Sequence, residues 1–199
     1  MRDSRLVALE HSRAAYRADF VVYAIAVVAL TAFLLAACPR GLWMGSAILT
    51  LTGLGSWTLV EYVVHRFVLH RVKPFTTWHS AHHRRPTALI FAPTLLSATL
   101  IVTLLFLPVL LLSDLWHASA VTLGLLAGYL GYAITHHAIH HWHGTSAWLQ
   151  RRKRWHAMHH SLTASPDRFG VTTEVWDHLF RSAGHSGERV LRRNAIDPL

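Results

Sequence analysis

The feature that most constrains this chain is a set of ten histidines in four tight groups. The groups are His65 and His70; His79, His82 and His83; His136 and His140; His156, His159 and His160. Residues three and four apart share one face of an α-helix, so three of the groups can each direct their imidazoles to one side. The spacing of His65 and His70 instead turns about 140° around a helix. We therefore expect that pair at a helix end, or on two sides of a common site.

This pattern predicts a metal centre. A lone histidine is usually a surface residue or is bonded to a carbonyl, but repeated clusters with helical spacing are typical of metal ligands. Neutral imidazole binds iron, zinc and copper, and the spacing does not choose among them. Ten imidazoles exceed the needs of one ion, so we expect two metals. Structural zinc sites use four ligands, often cysteines, whereas this chain contains one cysteine, Cys38.

The composition and the apolar runs place the centre in a membrane protein. Hydrophobic residues make up 52% of the chain and charged residues 15%. Four apolar runs are long enough to cross a hydrocarbon core of about 30 Å; they cover residues 20–38, 42–64, 89–112 and 115–135. We predict an all-α integral membrane protein with about four transmembrane helices. The alternative for the first run is a cleaved signal peptide that ends in a lipobox-like sequence at residues 35–38. The run is longer than the apolar core of a usual signal peptide, which favours a membrane span.

Charge predicts the topology. Four spans with both chain ends on one side leave two connections on the other side, the loop at 39–41 and the turn at 113–117. Of the 19 Lys and Arg residues, only Arg40 lies in these connections, so the other 18 share a side with the histidines. The positive-inside rule makes that side the cytoplasm. We expect the inner membrane of a bacterium, with both termini and the active site cytoplasmic. The formal charge of +9 then favours lipid head groups over nucleic acid, which we do not expect as a partner.

We expect one membrane domain over residues 1–199. It comprises a polar N-terminal segment (1–19), a transmembrane region (20–135) with a cytoplasmic loop (71–87), and a cytoplasmic helical cap (136–199) that holds the dimetal site.

The order of the histidine motifs resembles the fatty acid hydroxylase/sterol desaturase superfamily of membrane di-metal oxygenases. Further segments are similar to its fatty acid 2-hydroxylase branch: Glu61-Tyr62, Gly128-Tyr129-x-x-Tyr132, and Phe169-Gly170-Val171-Thr172-Thr173-x-x-Trp176-Asp177. The resemblance covers about residues 60–180.

The resemblance implies a di-iron lipid hydroxylase that uses O2 as co-substrate. It makes all ten clustered histidines the metal ligands: His65, His70, His79, His82, His83, His136, His140, His156, His159 and His160. Zinc can occupy such sites after purification. The chain carries no cytochrome b5-like segment, so we expect two electrons from a separate reductase, ferredoxin or cytochrome. The expected product is an acyl lipid hydroxylated near its head group.

Several other residues are candidates for supporting roles. Glu61 and Asp177 are candidates for orienting ligand imidazoles; the alternatives are a carboxylate reaching the membrane interface for Glu61 and a helix or turn cap for Asp177. His137, like His141 and His143, either supports the site or lies at the interface. Arg84 and Arg85 are candidates for binding a lipid head group. Of the other histidines, we expect His178 near the site, His117 at the membrane interface, and His11 and His185 on the solvated surface.

Two departures from the branch leave the substrate open. Ala133 stands where the branch usually has Asp, and the segment from Pro86 to Pro93 is shortened. A sterol- or carotenoid-type hydroxylase or desaturase is therefore the alternative. In another functional class, the chain would be a non-enzymatic membrane metal-binding protein. A transporter should hold its ligands near the bilayer midplane, whereas these histidines follow the ends of the spans, which favours the enzyme.

Overall fold

In the computed structural model, which describes residues 10–161 and 167–184, every regular element is a helix. The α-helices are α1 (Arg13–Ala37), α2 (Trp43–Val63), α3 (Phe75–Arg84), α4 (Thr94–Ile101), α5 (Leu107–Leu112), α6 (Leu115–His141), α7 (Ala147–His159) and α8 (Val175–Leu179). A 3-10 turn (Arg40–Leu42) precedes α2, and π-helical segments follow α2 (Val64–Leu69) and α4 (Val102–Phe106).

Four continuous helical stretches are long and apolar enough to cross a membrane. They are Arg13–Ala37, Arg40–Leu69, Thr94–Leu112 and Leu115–His141, here called the first to fourth spans. The predicted all-α membrane fold with four spans is confirmed.

The ends of the spans differ from those expected, for local reasons. The first span begins at Arg13, because the Ser12 side chain caps it by accepting a hydrogen bond from the Ala15 N–H at 3.1 Å. Residues 13–19 thus belong to a membrane-length helix, not to a separate polar segment. The third span begins after Pro93, since residues 89–93 are non-helical. The fourth span continues past 135 to His141, so His136 and His140 lie on a spanning helix and not in the cap.

Glycines let the second and fourth spans approach closely. A Cβ atom added to Gly124 would lie 2.0 Å from the Thr50 carbonyl oxygen, and one added to Gly53 would lie 2.5 Å from that of Val121. Neither position has room for a side chain, so the backbones of α2 and α6 are in direct contact there. Gly131, on the same α6, faces open space. The third span contacts α6 through its π-helical segment and α5.

The segment 167–184 covers the end of the second span that carries the histidines. The Tyr62 hydroxyl lies 2.8 Å from Ser182 Oγ, which donates to Asp177 Oδ1 at 2.8 Å. Buried Arg152, on α7, forms an ion pair with Glu174. These contacts attach α7 and α8 to the membrane helices at the histidine end.

Candidate metal centre and substrate cavity

The ten clustered histidines form two groups of five. The first group contains His65, His70, His79, His83 and His159, and the second contains His82, His136, His140, His156 and His160. In each group, one ring nitrogen per residue lies within 4.8 Å of those of all the others. Sequence neighbours are divided between the groups: His82 from His83, and His159 from His160.

The ring nitrogens within a group converge on a common point. His79 Nε2 lies 3.0 Å from His65 Nε2, 2.9 Å from His70 Nε2 and 3.0 Å from His83 Nε2. A ring nitrogen offers either one N–H or one lone pair, so these three contacts cannot all be hydrogen bonds. A shared cation satisfies all of the lone pairs together.

The separations also fit the size of a metal ion. The nearest Nε2–Nε2 distances in the two groups run from 2.9 to 3.2 Å. Metal–nitrogen bonds of about 2.1 Å at right angles place two nitrogens about 3.0 Å apart, whereas tetrahedral ligands lie about 3.4 Å apart. Five donors with near right-angle spacing suit a five- or six-coordinate ion, so the residues present fit two metals.

A π-helical segment brings His65 and His70 into the same group. The second span changes from α-helix to π-helix at Val64–Leu69, and His70 follows as the last residue of the turn. The wider π-helical turn brings residues five apart onto one face. The pair therefore lies at a helix end, as expected, and its two rings are 5.3 Å apart between centroids.

Backbone carbonyls orient two imidazoles of the first group. His65 Nδ1 lies 2.5 Å from the Phe169 carbonyl oxygen, and His159 Nδ1 lies 2.6 Å from that of Asp167. A carbonyl accepts only from an N–H, so each ring carries its proton on Nδ1 and leaves the Nε2 lone pair for a metal. In the second group, His156 Nδ1 and His160 Nδ1 are buried without a partner in the described chain.

Glu61 and Asp177 hold the backbone segment 169–172, not an imidazole. Glu61 Oε1 accepts from the N–H groups of Val171 and Thr172 at 2.5 and 3.0 Å. Asp177 Oδ1 and Oδ2 accept from the N–H groups of Phe169 and Gly170, both at 2.8 Å. Glu61 and Asp177 therefore do not contact a ligand histidine directly, although the sequence suggested such a contact. They hold the segment whose Phe169 carbonyl contacts His65.

Burial keeps three candidate ligands outside the spans neutral: His82, His83 and His160. Burial lowers the pKa of His83 to about 4. Burial, reinforced by His140 and His160, lowers the pKa of His82 to about 2, and burial with His83 and His140 lowers that of His160 to about 3. At pH 7 these side chains are therefore unprotonated, the form that binds metals.

A largely apolar cavity of about 730 Å³ leads to both groups. His65 and His79 of the first group and His82, His136 and His140 of the second form part of its wall. The rest comes from all four spans, α3 and the 86–92 segment, with Val64, Leu100, Leu104 and Leu126 among the apolar residues.

The other candidate residues occupy different places. Arg84 is exposed and Arg85 is paired with Glu10 at 2.5 Å, and neither lines the cavity. His137 belongs to neither group: its Nδ1 lies 3.0 Å from the Tyr16 hydroxyl, and its ring lines the cavity with His141. His178 is exposed and also outside both groups, and His185 lies outside the described residues.

Two features were not found from the sequence. The Phe169 carbonyl acts through the backbone, which no residue pattern marks. Asp19, on the first span, is buried and lines the cavity. The available signal was an acidic residue at the start of an apolar run.

The model of the fatty acid hydroxylase family matches residues 50–182, more than half of the chain. The chain belongs to the fatty acid hydroxylase family. All ten clustered histidines and the 169–172 segment lie within the matched residues, whereas the first span precedes them.

Named relatives in this family include plant, yeast and mammalian enzymes. Dihydroceramide fatty acyl 2-hydroxylase FAH2 of Arabidopsis thaliana is 34% identical over 64% of this chain and 57% of its own length. Ceramide very long chain fatty acid hydroxylase scs7 of Schizosaccharomyces pombe is 30% identical over 66% of this chain and 41% of its own length. Human fatty acid 2-hydroxylase is 29% identical over 73% of this chain and 41% of its own length. The chain thus spans about half the length of these relatives.

A solved structure shares the fold. Full-length scs7p, in which only the hydroxylase domain is visible, aligns with a TM-score of 0.69 over 84% of this chain and 66% of that one. At 24% identity, the similarity shows that the two proteins share a fold.

Proposed function

We propose that this protein is a membrane di-iron oxygenase that hydroxylates a C–H bond of an acyl lipid near its head group. The balanced reaction takes R–H, O2, two electrons and two protons to R–OH and water. The observation that carries the proposal is the apolar cavity, whose wall includes histidines of both groups of five. An acyl chain in that cavity lies against the metal ligands.

Each histidine group would hold one iron ion. Imidazole-rich sites suit iron, and iron when bound supplies the one-electron and oxygen chemistry that side chains lack. The chain supplies the rest. The carbonyls of Phe169 and Asp167 keep His65 and His159 in the ligating tautomer, and Glu61 and Asp177 fix the segment that presents the Phe169 carbonyl.

The cavity wall determines which part of the lipid approaches the ions. Leu100, Leu104 and Leu126 provide an apolar surface for an acyl chain and exclude water from it. Relatives named as fatty acyl or ceramide hydroxylases support an acyl substrate. A head group held near the histidine end of the spans brings the first carbons of the chain, not its methyl end, to the ions.

We assign the histidine end to the cytoplasmic side of a bacterial inner membrane. The support is the concentration of Lys and Arg on that side, with Arg40 alone at the other end of the spans. A soluble reductase or ferredoxin, or a membrane cytochrome, would deliver the electrons there. The ten clustered histidines, the spans, α7 and the covering segment 167–184 form one working domain in this proposal.

The test supplies isotopically labelled O2, a reductase system and two lipids together, a saturated acyl lipid and a carotenoid. We expect label in the acyl lipid, at a carbon next to the head group, when the protein is loaded with iron. Zinc-loaded protein is the control, because zinc fills the same ligands without redox chemistry. Label in the carotenoid alone, label at the methyl end, or no label with iron would overturn the proposal.

A further inference from the structure

An acidic side chain lines the cavity inside the membrane region. Asp19 lies on the first span, and 6% of its surface is exposed. Carboxylates in membrane spans are energetically costly and face protein interiors or cavities where they serve a function. Asp19 also precedes the family-matched residues 50–182.

The hydrogen bonds of Asp19 leave acceptor capacity unused. Its Oδ1 accepts from the Thr94 hydroxyl at 2.6 Å, and its Oδ2 accepts from the Tyr129 hydroxyl at 3.4 Å. Both oxygens act as acceptors in these two contacts. A carboxylate offers about four lone-pair positions, so further acceptor positions remain for a donor in the cavity.

Other polar groups surround Asp19 in the same wall. The Tyr16 hydroxyl lies 3.0 Å from His137 Nδ1 and, like Asp19 and Tyr129, lines the cavity. His137 follows the ligand candidate His136 directly on α6, and Tyr129 lies two helical turns earlier, about 10 Å along the axis. Asp19 and histidines of the second group therefore line the same cavity.

We propose that Asp19, supported by Tyr16 and Tyr129, forms a polar subsite that binds a hydrogen-bond donor next to the acyl chain, either an amide N–H or a hydroxyl. This inference rests on the proposed lipid-hydroxylase function and names the substrate class more closely: a neutral acyl lipid with a donor near its carbonyl. A free fatty acid is disfavoured, because its carboxylate would face that of Asp19 in apolar surroundings, where like charges repel strongly.

The subsite is tested by equilibrium binding without turnover. The metal-loaded whole chain, in nanodiscs of neutral lipid and without reductant, is titrated with N-palmitoylethanolamine, its N,O-dimethylated analogue and palmitate. The two singly methylated analogues show whether the amide N–H or the hydroxyl is bound. Hydrogen bonds to charged groups predict that N-palmitoylethanolamine binds about tenfold or more tightly than its dimethylated analogue.

Asp19→Asn should change two affinities in opposite directions. The preference for the donor-bearing lipid should fall to about threefold or less, while palmitate should bind about tenfold more tightly because the charge repulsion is gone. A folding defect would weaken both. Asp114→Asn is the matched control: it makes the same substitution at a carboxylate that accepts from the N–H groups of Trp116 and His117 and does not line the cavity, so both wild-type ratios should persist.

Unchanged ratios in Asp19→Asn, or the same loss in Asp114→Asn, would overturn the subsite. The two proposals fail separately. If the ratios behave as expected but no labelled oxygen enters any lipid, the subsite stands and the oxygenase function falls. If acyl hydroxylation proceeds and Asp19→Asn binds all of the lipids like the wild type, the subsite alone falls.

Discussion

The Nδ1 nitrogen of His65 lies 2.5 Å from the carbonyl oxygen of Phe169, 104 positions later in the chain. The second span holds the segment that provides this carbonyl. Glu61, one helical turn before His65, accepts hydrogen bonds from the N–H groups of Val171 and Thr172. Asp177 binds the same segment from the other side. The orientation of a candidate metal ligand therefore depends on two buried carboxylates that contact no imidazole.

Asp177→Asn should weaken metal binding by the first histidine group. The amide keeps one acceptor oxygen but sets an NH2 group against a backbone N–H, which loosens the Phe169 carbonyl that orients His65. Changes in groups that orient ligands cost about 10- to 100-fold in metal affinity. A chelator titration followed by elemental analysis should show one of two metals released at lower chelator concentration.

The matched control for this prediction is Asp114→Asn. Asp114 also accepts hydrogen bonds from two backbone N–H groups, those of Trp116 and His117, but it lies at the start of α6, remote from the ten clustered histidines. It should release both metals as the wild type does. Equal weakening by the two substitutions would mean that Asp177 has no specific part in orienting His65.

Pairs of histidine substitutions should report which residues share an ion. His79→Ala with His83→Ala removes two donors of the first group and should cost one metal equivalent. His79→Ala with His82→Ala removes one donor from each group and should weaken both ions, by about 10-fold or more each. Elemental analysis after dialysis against graded chelator separates the two patterns, and exposed His143→Ala should retain both metals. Identical release curves for the two double variants would contradict the assignment into groups.

Gly124→Ala should destabilise the helix bundle. The added methyl group would meet the Thr50 carbonyl oxygen and the Leu54 nitrogen at 2.0 and 2.7 Å, so the second and fourth spans must move apart. Overpacking of this kind costs about 1–3 kcal/mol. Gly131→Ala, on the same helix but in open space, should leave stability unchanged or raise it slightly. Thermal unfolding in detergent measures both, and equal melting temperatures would refute the close contact.

Metal-free protein should lose stability as the pH falls below about 6.5. The pKa values of His83 and His160 are lowered to about 4 and 3 in the folded state, mainly by burial. Between these values and the ordinary pKa near 6.5, the unfolded chain binds protons that the folded chain does not, so acid favours unfolding. Melting temperatures at pH 7, 6 and 5 should fall steadily.

The double variant His83→Gln/His160→Gln tests the origin of this pH dependence. It lacks two of the groups that take up protons on unfolding, so its melting temperature should fall less steeply from pH 7 to pH 5. A slope equal to that of the wild type would assign the acid sensitivity to other groups.

The sequence was sufficient for the features that depend on local order. The length of an apolar run decides whether a helix can cross a membrane, and the four spans follow from it. Repeated spacing of three and four residues places imidazoles on helix faces, so the ten clustered histidines were recognised together. The ends of the spans also depend on local residues: Ser12 caps the start of the first span, and Pro93 precedes the start of the third.

The tertiary structure alone decided how these histidines divide and what supports them. His82 and His83 are adjacent, but successive helical residues point about 100° apart, so each joins a different group. Which group it joins depends on where α6 and α7 lie. The partners of Glu61 are backbone N–H groups 110 and 111 residues away, and every residue type has such groups. Asp19 resembled part of a polar tail until helix packing brought it to the wall of the cavity, because the chemistry of a side chain is local whereas its surroundings are not.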